Sequence, residues 1–486
     1  MTARPQRIRK ADLFAALPPE WPHDPRPEIQ RLLAASRSKV VVLDDDPTGT
    51  QTVHNVPVLT EWSVESLHRE LGSDNNCFYI LTNSRSLPPD GARELNLEIA
   101  RALKTASEMA DRRIAPVSRS DSTLRGHFPL ETDALNEILG PFDAVLLVPF
   151  FETGGRHTVN DVHYLADGEW LTPVAESQFA RDVTFGYRNS DLRAWVEEKS
   201  GGRMRADEVA SISVDTIRRD GPETICRELM PLNGGRVCVG NIVSGRDLLV
   251  FILGLLRAEA AGKRFLYRTA ASFAAARAGI APCPLLTARE LFGDDDSAIK
   301  HQPSTINSSR GGLVVVGSYV PKSSEQLQRL LEGNRTANVE VSVRALLTDD
   351  FRAGEIVRAT QSVNEALRHD RDTVLYTSRQ LVTGSDPAES LSLCRRVSES
   401  LMQILDGVAV RPRFVIAKGG ITSSDVATKP LRVRRAMVLG QILAGIPLWR
   451  LGEESRWPGM IYVSFPGNLG GPGALKDVVE MLAGPR

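Results

Sequence analysis

Val41–Val42–Leu43–Asp44–Asp45–Asp46–Pro47–Thr48–Gly49–Thr50 runs from a short apolar stretch directly into three adjacent acids and a turn. An apolar run of this length that ends on Asp, Pro and Gly reads as a buried strand leading into a loop. In an open parallel sheet, ligands bind beyond the carboxyl ends of the strands, where this loop lies. Three neighbouring carboxylates repel one another unless a cation or hydrogen-bond donors compensate. A plain turn, opened by Asp46–Pro47 and capped by Thr48, would explain the local residues. It would not explain why all three acids gather at the sheet edge.

Outward from this stretch, short apolar runs alternate with helical patterns. Strands are expected at Lys39–Leu43, Phe78–Leu81, Ile114–Val117, Ala144–Val148 and Val237–Gly240, and helices at Val64–Leu71, Gly91–Ala106, Leu130–Leu139 and Ser244–Ala261. A second series begins near Gly311, with strands at Leu313–Val316, Val339–Val343, Thr373–Tyr376, Phe414–Ala417 and Met460–Ser464. Helices are expected in its gaps at Pro387–Ile404 and Val433–Ala444; in the latter, Val433, Ala436, Met437, Gly440 and Leu443 share one face at helical spacing. This alternation predicts an α/β protein of two domains, each a mostly parallel sheet flanked by helices. The polar stretch Gly293–Gly312, with Asp294–Asp296, Pro303 and Ser308–Ser309, reads as a linker. The expected domains are therefore residues 1–300, linker included, and 301–486.

Composition sets the class. With 486 residues, 42% hydrophobic and 24% charged, the chain is long enough for two or three ordinary globular domains. A net charge of −1 gives no long-range field toward nucleic acid or a membrane surface. The basic segment Arg4–Lys10 is expected to fray as a tail, no signal-peptide pattern comes after it, and no stretch is long and apolar enough to span a bilayer. Cys77, Cys226, Cys238, Cys283 and Cys394 are far apart and form no CxxC pair. Reduced, mostly buried thiols in a cytoplasmic enzyme are expected.

Three further strand-end loops in the first half carry polar groups. Ser118–Gly126 (SRSDSTLRG) offers Arg119, Arg125, Asp121 and several hydroxyls including Ser122. Thr82–Ser86 adds Arg85, and Phe151–Thr158 adds Arg156 and His157. Guanidiniums beside hydroxyls suit a ligand with one carboxylate and several hydroxyls. In the second half glycines gather at strand ends instead: Gly317–Ser318, Lys418–Gly419–Gly420–Ile421–Thr422–Ser423 and Pro466–Gly467–Asn468–Leu469–Gly470–Gly471. Glycine lets backbone N–H groups approach phosphate oxygens, and a helix start behind the turn adds partial positive charge. No GxxxxGK[ST] motif and no strand-anchored GxGxxG occurs, so the usual nucleotide fingerprints are absent.

Asp44–Gly49, Asp121–Gly126 (DSTLRG), Lys418–Ser423 and Pro466–Gly471, in this order, resemble the motifs of the four-carbon acid sugar kinases. DSTLRG is the most specific of them. The sequence departs from a common family pattern at Leu43–Asp46, where many members carry Gly–Ala–Asp–Asp, and at Arg119, where lysine is frequent. The resemblance implies a sugar-acid-binding N-terminal domain, an ATP-binding C-terminal domain, an active site in the cleft between them, and Mg²⁺ with the nucleotide. It implies phosphoryl transfer to a hydroxyl of threonate, erythronate or a 3-oxo-tetronate. Asp46 or Asp45 would act on that hydroxyl. Asp45, Thr48, Gly49, Arg85, Arg119, Asp121, Ser122, Arg125 and His157 would bind the acid, with Arg125 on its carboxylate. Ser318, Gly419, Gly420, Ile421, Thr422, Gly467 and Asn468 would bind ATP. The sequence names no metal ligand, and a homodimer is compatible with it. Two other readings stand beside this one: a non-catalytic sensor of sugar acid and nucleotide, and a metal-dependent aldolase or isomerase. The first gains nothing from three acids near an anion, and the second leaves the glycine loops without a task.

Overall fold

A computed structural model describes residues 7–293 and 308–484, apart from 319, 334, 380, 381 and 383–386. Its strands, in chain order, are β1 (Ile8–Arg9), β2 (Lys39–Asp44), β3 (Val56–Leu59), β4 (Cys77–Leu81), β5 (Ile114–Arg119), β6 (Ala144–Val148), β7 (Arg156–Val159), β8 (Val162–Asp167), β9 (Trp170–Pro173), β10 (Ala210–Ile212), β11 (Arg236–Gly240) and β12 (Phe265–Thr269). They continue as β13 (Leu313–Val316), β14 (Ala337–Val341), β15 (Thr373–Thr377), β16 (Phe414–Lys418), β17 (Arg435–Leu443), β18 (Ile446–Leu451) and β19 (Ile461–Phe465). The chain divides into two compact units: residues up to Thr52 with Glu61–Pro282, and Val53–Thr60 with the described residues from Cys283 onward.

In the first unit a parallel sheet runs in the order β10–β11–β6–β12–β5–β2–β4. Val40–Leu43 and Cys77–Leu81 are all buried, as in strands covered on both faces by helices. The covering helices include Pro89–Met109, Leu130–Leu139 and Gly245–Ala260. The last is started by a capping box in which Ser244 and Asp247 bond each other's backbone N–H. A separate four-stranded antiparallel sheet, β1–β9–β8–β7, belongs to the same unit. The expected fraying of the basic N-terminus is thereby corrected for its end: Ile8 pairs with Leu171 and Arg9 with Trp170. Arg4–Gln6 lie outside the described residues.

In the second unit the sheet order is β3–β17–β18–β19–β16–β13–β15–β14. It is parallel from β19 to β14 and antiparallel from β3 to β19. Val314, Val316, Phe414, Ile416, Val463 and Phe465 pack against helices Pro321–Leu331 and Ala474–Ala483, and Leu286, Leu291 and Phe292 join that core. Residues 294–307, most of the segment read as a linker, lie outside the described residues.

The helix expected over Val433–Ala444 is instead strand β17. Its apolar residues fit both periods, but burial alternates strictly along Arg435–Leu443, and pairing to β3 and β18 satisfies its backbone. The strand expected at Val339–Val343 ends earlier, because Ser342 caps the short helix Val343–Leu347. All five cysteines are free, but only Cys77 and Cys238 are buried; Cys226 and Cys283 are intermediate and Cys394 is exposed, against the expectation of mostly buried thiols. No helix among the described residues is long and apolar enough to cross a membrane.

Candidate active site

The three acids leave the carboxyl end of β2, as expected, and the neighbouring strands β4, β5 and β12 deliver basic partners to the same edge. Backbone bonds hold the loops in register: Thr82 N–H donates to Asp44 O (2.9 Å), Asp45 N–H to Arg119 O (3.3 Å) and Ser120 N–H to Thr269 O (2.9 Å). Each acid then meets a different environment. Asp44 is buried and accepts from Arg119 Nη1 at 3.0 Å. Burial pushes its carboxyl up to about 7, against the pull of Arg119. Asp45, also buried, is held by Arg85 through both carboxylate oxygens, with Arg85 Nε at 3.1 Å from Oδ2, and accepts from Ser120 Oγ at 2.6 Å. Asp46 is partly exposed. It begins the turn Pro47–Thr50, and its Oδ1 accepts from Thr48 N–H (2.9 Å) and Thr48 Oγ1 (2.6 Å). Burial would raise the Asp46 carboxyl, but Arg85, Arg119 and the Thr48 donors outweigh it and hold it below the usual range. Gly49 passes so close to Asp44 that an added Cβ would sit 2.1 Å from Oδ2.

The DSTLRG loop wraps the same edge. Arg125 Nε donates to Asp121 Oδ2 at 2.6 Å, its Nη1 lies 3.5 Å from Asp182, and its guanidinium stacks 5.0 Å from the Phe179 ring. Burial opposes ionisation of Asp121, yet Arg125, Arg85 and the Thr123 hydroxyl hold its carboxyl far below the usual range. Gly126, at φ +130°, lies where a Cβ would be 2.4 Å from Ser120 Oγ and 2.8 Å from Arg268 Nη2. Ser122 is buried, and its carbonyl accepts from His163 Nε2 (2.9 Å).

His157, expected to bind the acid, is placed apart from this network. Its ring is buried against Phe14 and Phe150, Nδ1 donates to Val243 O at 2.8 Å, and burial pushes it down to about 4.

The sequence reading missed several residues. Arg268, on β12, is buried and paired with Glu131 Oε2 at 2.5 Å and with Ser118 Oγ at 2.8 Å. Ser120, Asp121, Leu124, Arg125, Arg268, Thr269 and Trp195 line one small cavity. Thr269 Oγ1 and Trp195 Nε1 are both buried without a hydrogen-bond partner among the described residues. Two orphaned polar atoms on the wall of a polar cavity mark a place for a hydroxyl-bearing ligand or water. The signal that could have found Arg268 and Thr269 is Phe265–Thr269 itself, a short apolar run ending on Arg–Thr in the manner of the other site strands.

In the second unit the glycine turns meet one another. Gly419, at φ +107°, precedes helix Gly420–Thr428, and a Cβ on it would lie 2.9 Å from Ser318 Cβ. Thr422 Oγ1 sits over Gly317, where a Cβ would come within 2.7 Å. Lys418 is buried; its Nζ donates to Pro466 O and Gly467 O (3.3 Å), fastening the second glycine loop to the first. Burial, with Lys322 nearby, lowers that ammonium to about 7. Gln326 Nε2 bonds Leu469 O and Gly471 O, and Asn468 O accepts from Lys322 Nζ at 3.4 Å. Ser318, Gly419, Thr422 and Gly467 are thus brought together. Gly420 opens the helix, and Ile421 is 59% exposed at its first turn. On the loop after β19, nothing among the described residues lies within 4 Å of a Cβ on Gly471. A helix start behind a glycine turn fits phosphate oxygens.

Comparison with known proteins agrees with this division of labour. Residues 40–277 match the family model of a sugar-binding N-terminal domain, and residues 313–475 that of a nucleotide-binding C-terminal domain. The chain is similar to D-erythronate kinase of Heliobacterium modesticaldum, 24% identical over 393 residues that cover 78% of this chain and 80% of the relative. In fold it is similar to a solved Salmonella typhimurium LT2 protein (TM-score 0.62, 16% identical, covering 90% of this chain and 97% of that one). A Haemophilus influenzae protein is similar as well (TM-score 0.57, 17% identical, covering 91% and 100%).

Proposed function

The chain belongs to the four-carbon acid sugar kinase family and is a kinase, and from that premise we propose that it transfers the γ-phosphate of ATP to a hydroxyl of a four-carbon acid of the threonate, erythronate or 3-oxo-tetronate type. What supports this most is the state of Asp46. It is the acid of the triplet with an exposed edge, it is kept ionised by Arg85, Arg119 and Thr48, and its neighbour Asp45 is consumed by Arg85 and Ser120. An ionised carboxylate at that edge can accept a hydrogen bond from the substrate hydroxyl and take its proton as the oxygen–phosphorus bond forms and ADP leaves. Asp45 positions Arg85 and Ser120 rather than meeting the hydroxyl. The cavity under the DSTLRG loop, with Thr269 and Trp195, offers donors for the remaining hydroxyls.

ATP is assigned to Ser318, Gly419, Gly420, Ile421, Thr422, Gly467 and Asn468, where the glycine turns after β13, β16 and β19 meet. For the Mg²⁺ expected with ATP, the described residues hold no group of three His, Cys, Asp or Glu side chains in metal-binding array. Arginines already engage Asp44 and Asp45, which leaves the exposed edge of Asp46 as the one open carboxylate of this cluster among the described residues, and no step is routed through the ion. The test is ADP formation, in a coupled assay with ATP, across a panel of threonates, erythronates and 3-oxo-tetronates. Turnover with one stereoisomer is expected. ADP formation that is independent of every acid in the panel would refute the assignment.

A further inference from the structure

We propose that Arg156 binds the carboxylate of the sugar acid; the proposal rests on the reading of the substrate as a four-carbon acid and deepens it. Every other arginine of the first unit's site already has a carboxylate of the chain. Arg85 has Asp45 and Asp46, Arg119 has Asp44, Arg125 has Asp121 and Asp182, and Arg268 has Glu131. Arg156 has none among the described residues. Its Nη1 donates to Gly154 O, within its own loop, and its Nε is buried without a partner among the described residues. A partly buried guanidinium that no carboxylate of the described residues pairs with is costly to hold, and an arriving carboxylate relieves that cost. Its planar fork also matches a carboxylate in two parallel bonds.

The position is right for this task. Arg156 begins β7, directly after the loop that leaves the carboxyl end of β6, and Phe151 bridges to it across that loop. The antiparallel sheet is bolted to the DSTLRG loop: His163 Nε2 donates to Ser122 O and Thr158 Oγ1 bonds His163 Nδ1 at 2.9 Å; outside the sheet, Tyr187 Oη donates to Thr123 O at 2.7 Å. Asp121 and Arg125 are within electrostatic reach of the guanidinium, and burial lowers its affinity for its proton. Gly154 lies beneath it, where a Cβ would come within 2.8 Å of Nη1. Arg125, by contrast, would have to release Asp121 before it could take a ligand carboxylate.

Calorimetric titration of the full chain with the turned-over tetronate and with its uncharged amide tests this, in the parent, Arg156→Met and Arg156→Lys. The parent is expected to prefer the acid. Arg156→Met should bind acid and amide alike, and Arg156→Lys should weaken the acid about 10- to 100-fold by losing the paired geometry. ATP affinity and the ligand-free melting temperature should stay near the parent's in both. Retained acid preference in Arg156→Met would overturn the proposal. Should that variant not fold, parental affinity for the acid in Arg156→Lys would overturn it. If the parent binds no four-carbon acid, the functional reading and this proposal fall together. If the parent binds one and the variants bind it equally well, this proposal alone falls.

Discussion

Gly126→Ala probes the geometry of the acid cluster through a single methyl group. The backbone at Gly126 has φ +130°, which costs an L-residue about 1–3 kcal/mol. The new Cβ would lie 2.4 Å from Ser120 Oγ, 2.8 Å from Arg268 Nη2 and 3.1 Å from Asp45 Oδ2. Ser120 must therefore move, and its 2.6 Å bond to Asp45 is charge-assisted, worth about 1.5–3 kcal/mol. Together the two effects predict a loss of about 2.5–6 kcal/mol in urea unfolding, with turnover falling because Asp45 no longer holds Arg85 in place. Gly168→Ala is the control: its φ is +58° and nothing lies within 4 Å of its Cβ, so only the backbone cost, about 1–2 kcal/mol, is expected. If the two variants lose the same stability, or if Gly126→Ala turns over like the parent, the contact argument is refuted.

Asp46→Asn should keep the fold and lower the turnover rate about 10²- to 10⁴-fold; a melting temperature that drops while the rate per folded molecule holds would move the role to Asp45. Gly419→Val places a branched side chain at φ +107°, against Ser318, so ATP affinity should fall at least tenfold by calorimetry while sugar-acid binding by the first unit persists. An unchanged ATP affinity would remove this turn from the nucleotide site. Stability should also respond to pH. Burial holds His157 and His163 down at about 4, below the ordinary 6.5, so the unfolded chain binds more protons between these values and stability falls as pH drops through them. Asp44, raised by burial to about 7 against Arg119, works oppositely and is most stabilising at low pH. From about pH 6.5 to 5 each histidine removes about 2 kcal/mol and Asp44 returns about 2, a net loss of about 2. His163→Gln should bring that net change near zero in urea titrations at the two pH values, and an unaltered pH slope would show that His163 does not titrate as described.

The sequence by itself determined the strand-end loops that carry the chemistry. Apolar runs such as Val40–Leu43 and Val314–Val316, short and bounded by turn residues, read as covered strands, and the residues immediately after each run then lie at the sheet's edge. The DSTLRG and Lys418–Gly419–Gly420 segments were legible for the same reason, since their residue types are costly anywhere but a ligand loop or a tight turn. Only the tertiary structure decided which charges neutralise which. Asp45 faces Arg85 across 40 residues of chain, and Arg268 meets Glu131 across 137. No local window of sequence contains such a pair, so the arginines nearest in sequence to the acids look equally available. The same is true of β17, whose apolar residues fit a helix until β3 and β18 supply partners for its backbone, and of residues 53–60, which pack with the second unit although they lie within the first half of the chain. Spacing of side chains sets the local element, whereas long-range pairing of backbone and charge selects among the elements and partners that the spacing allows.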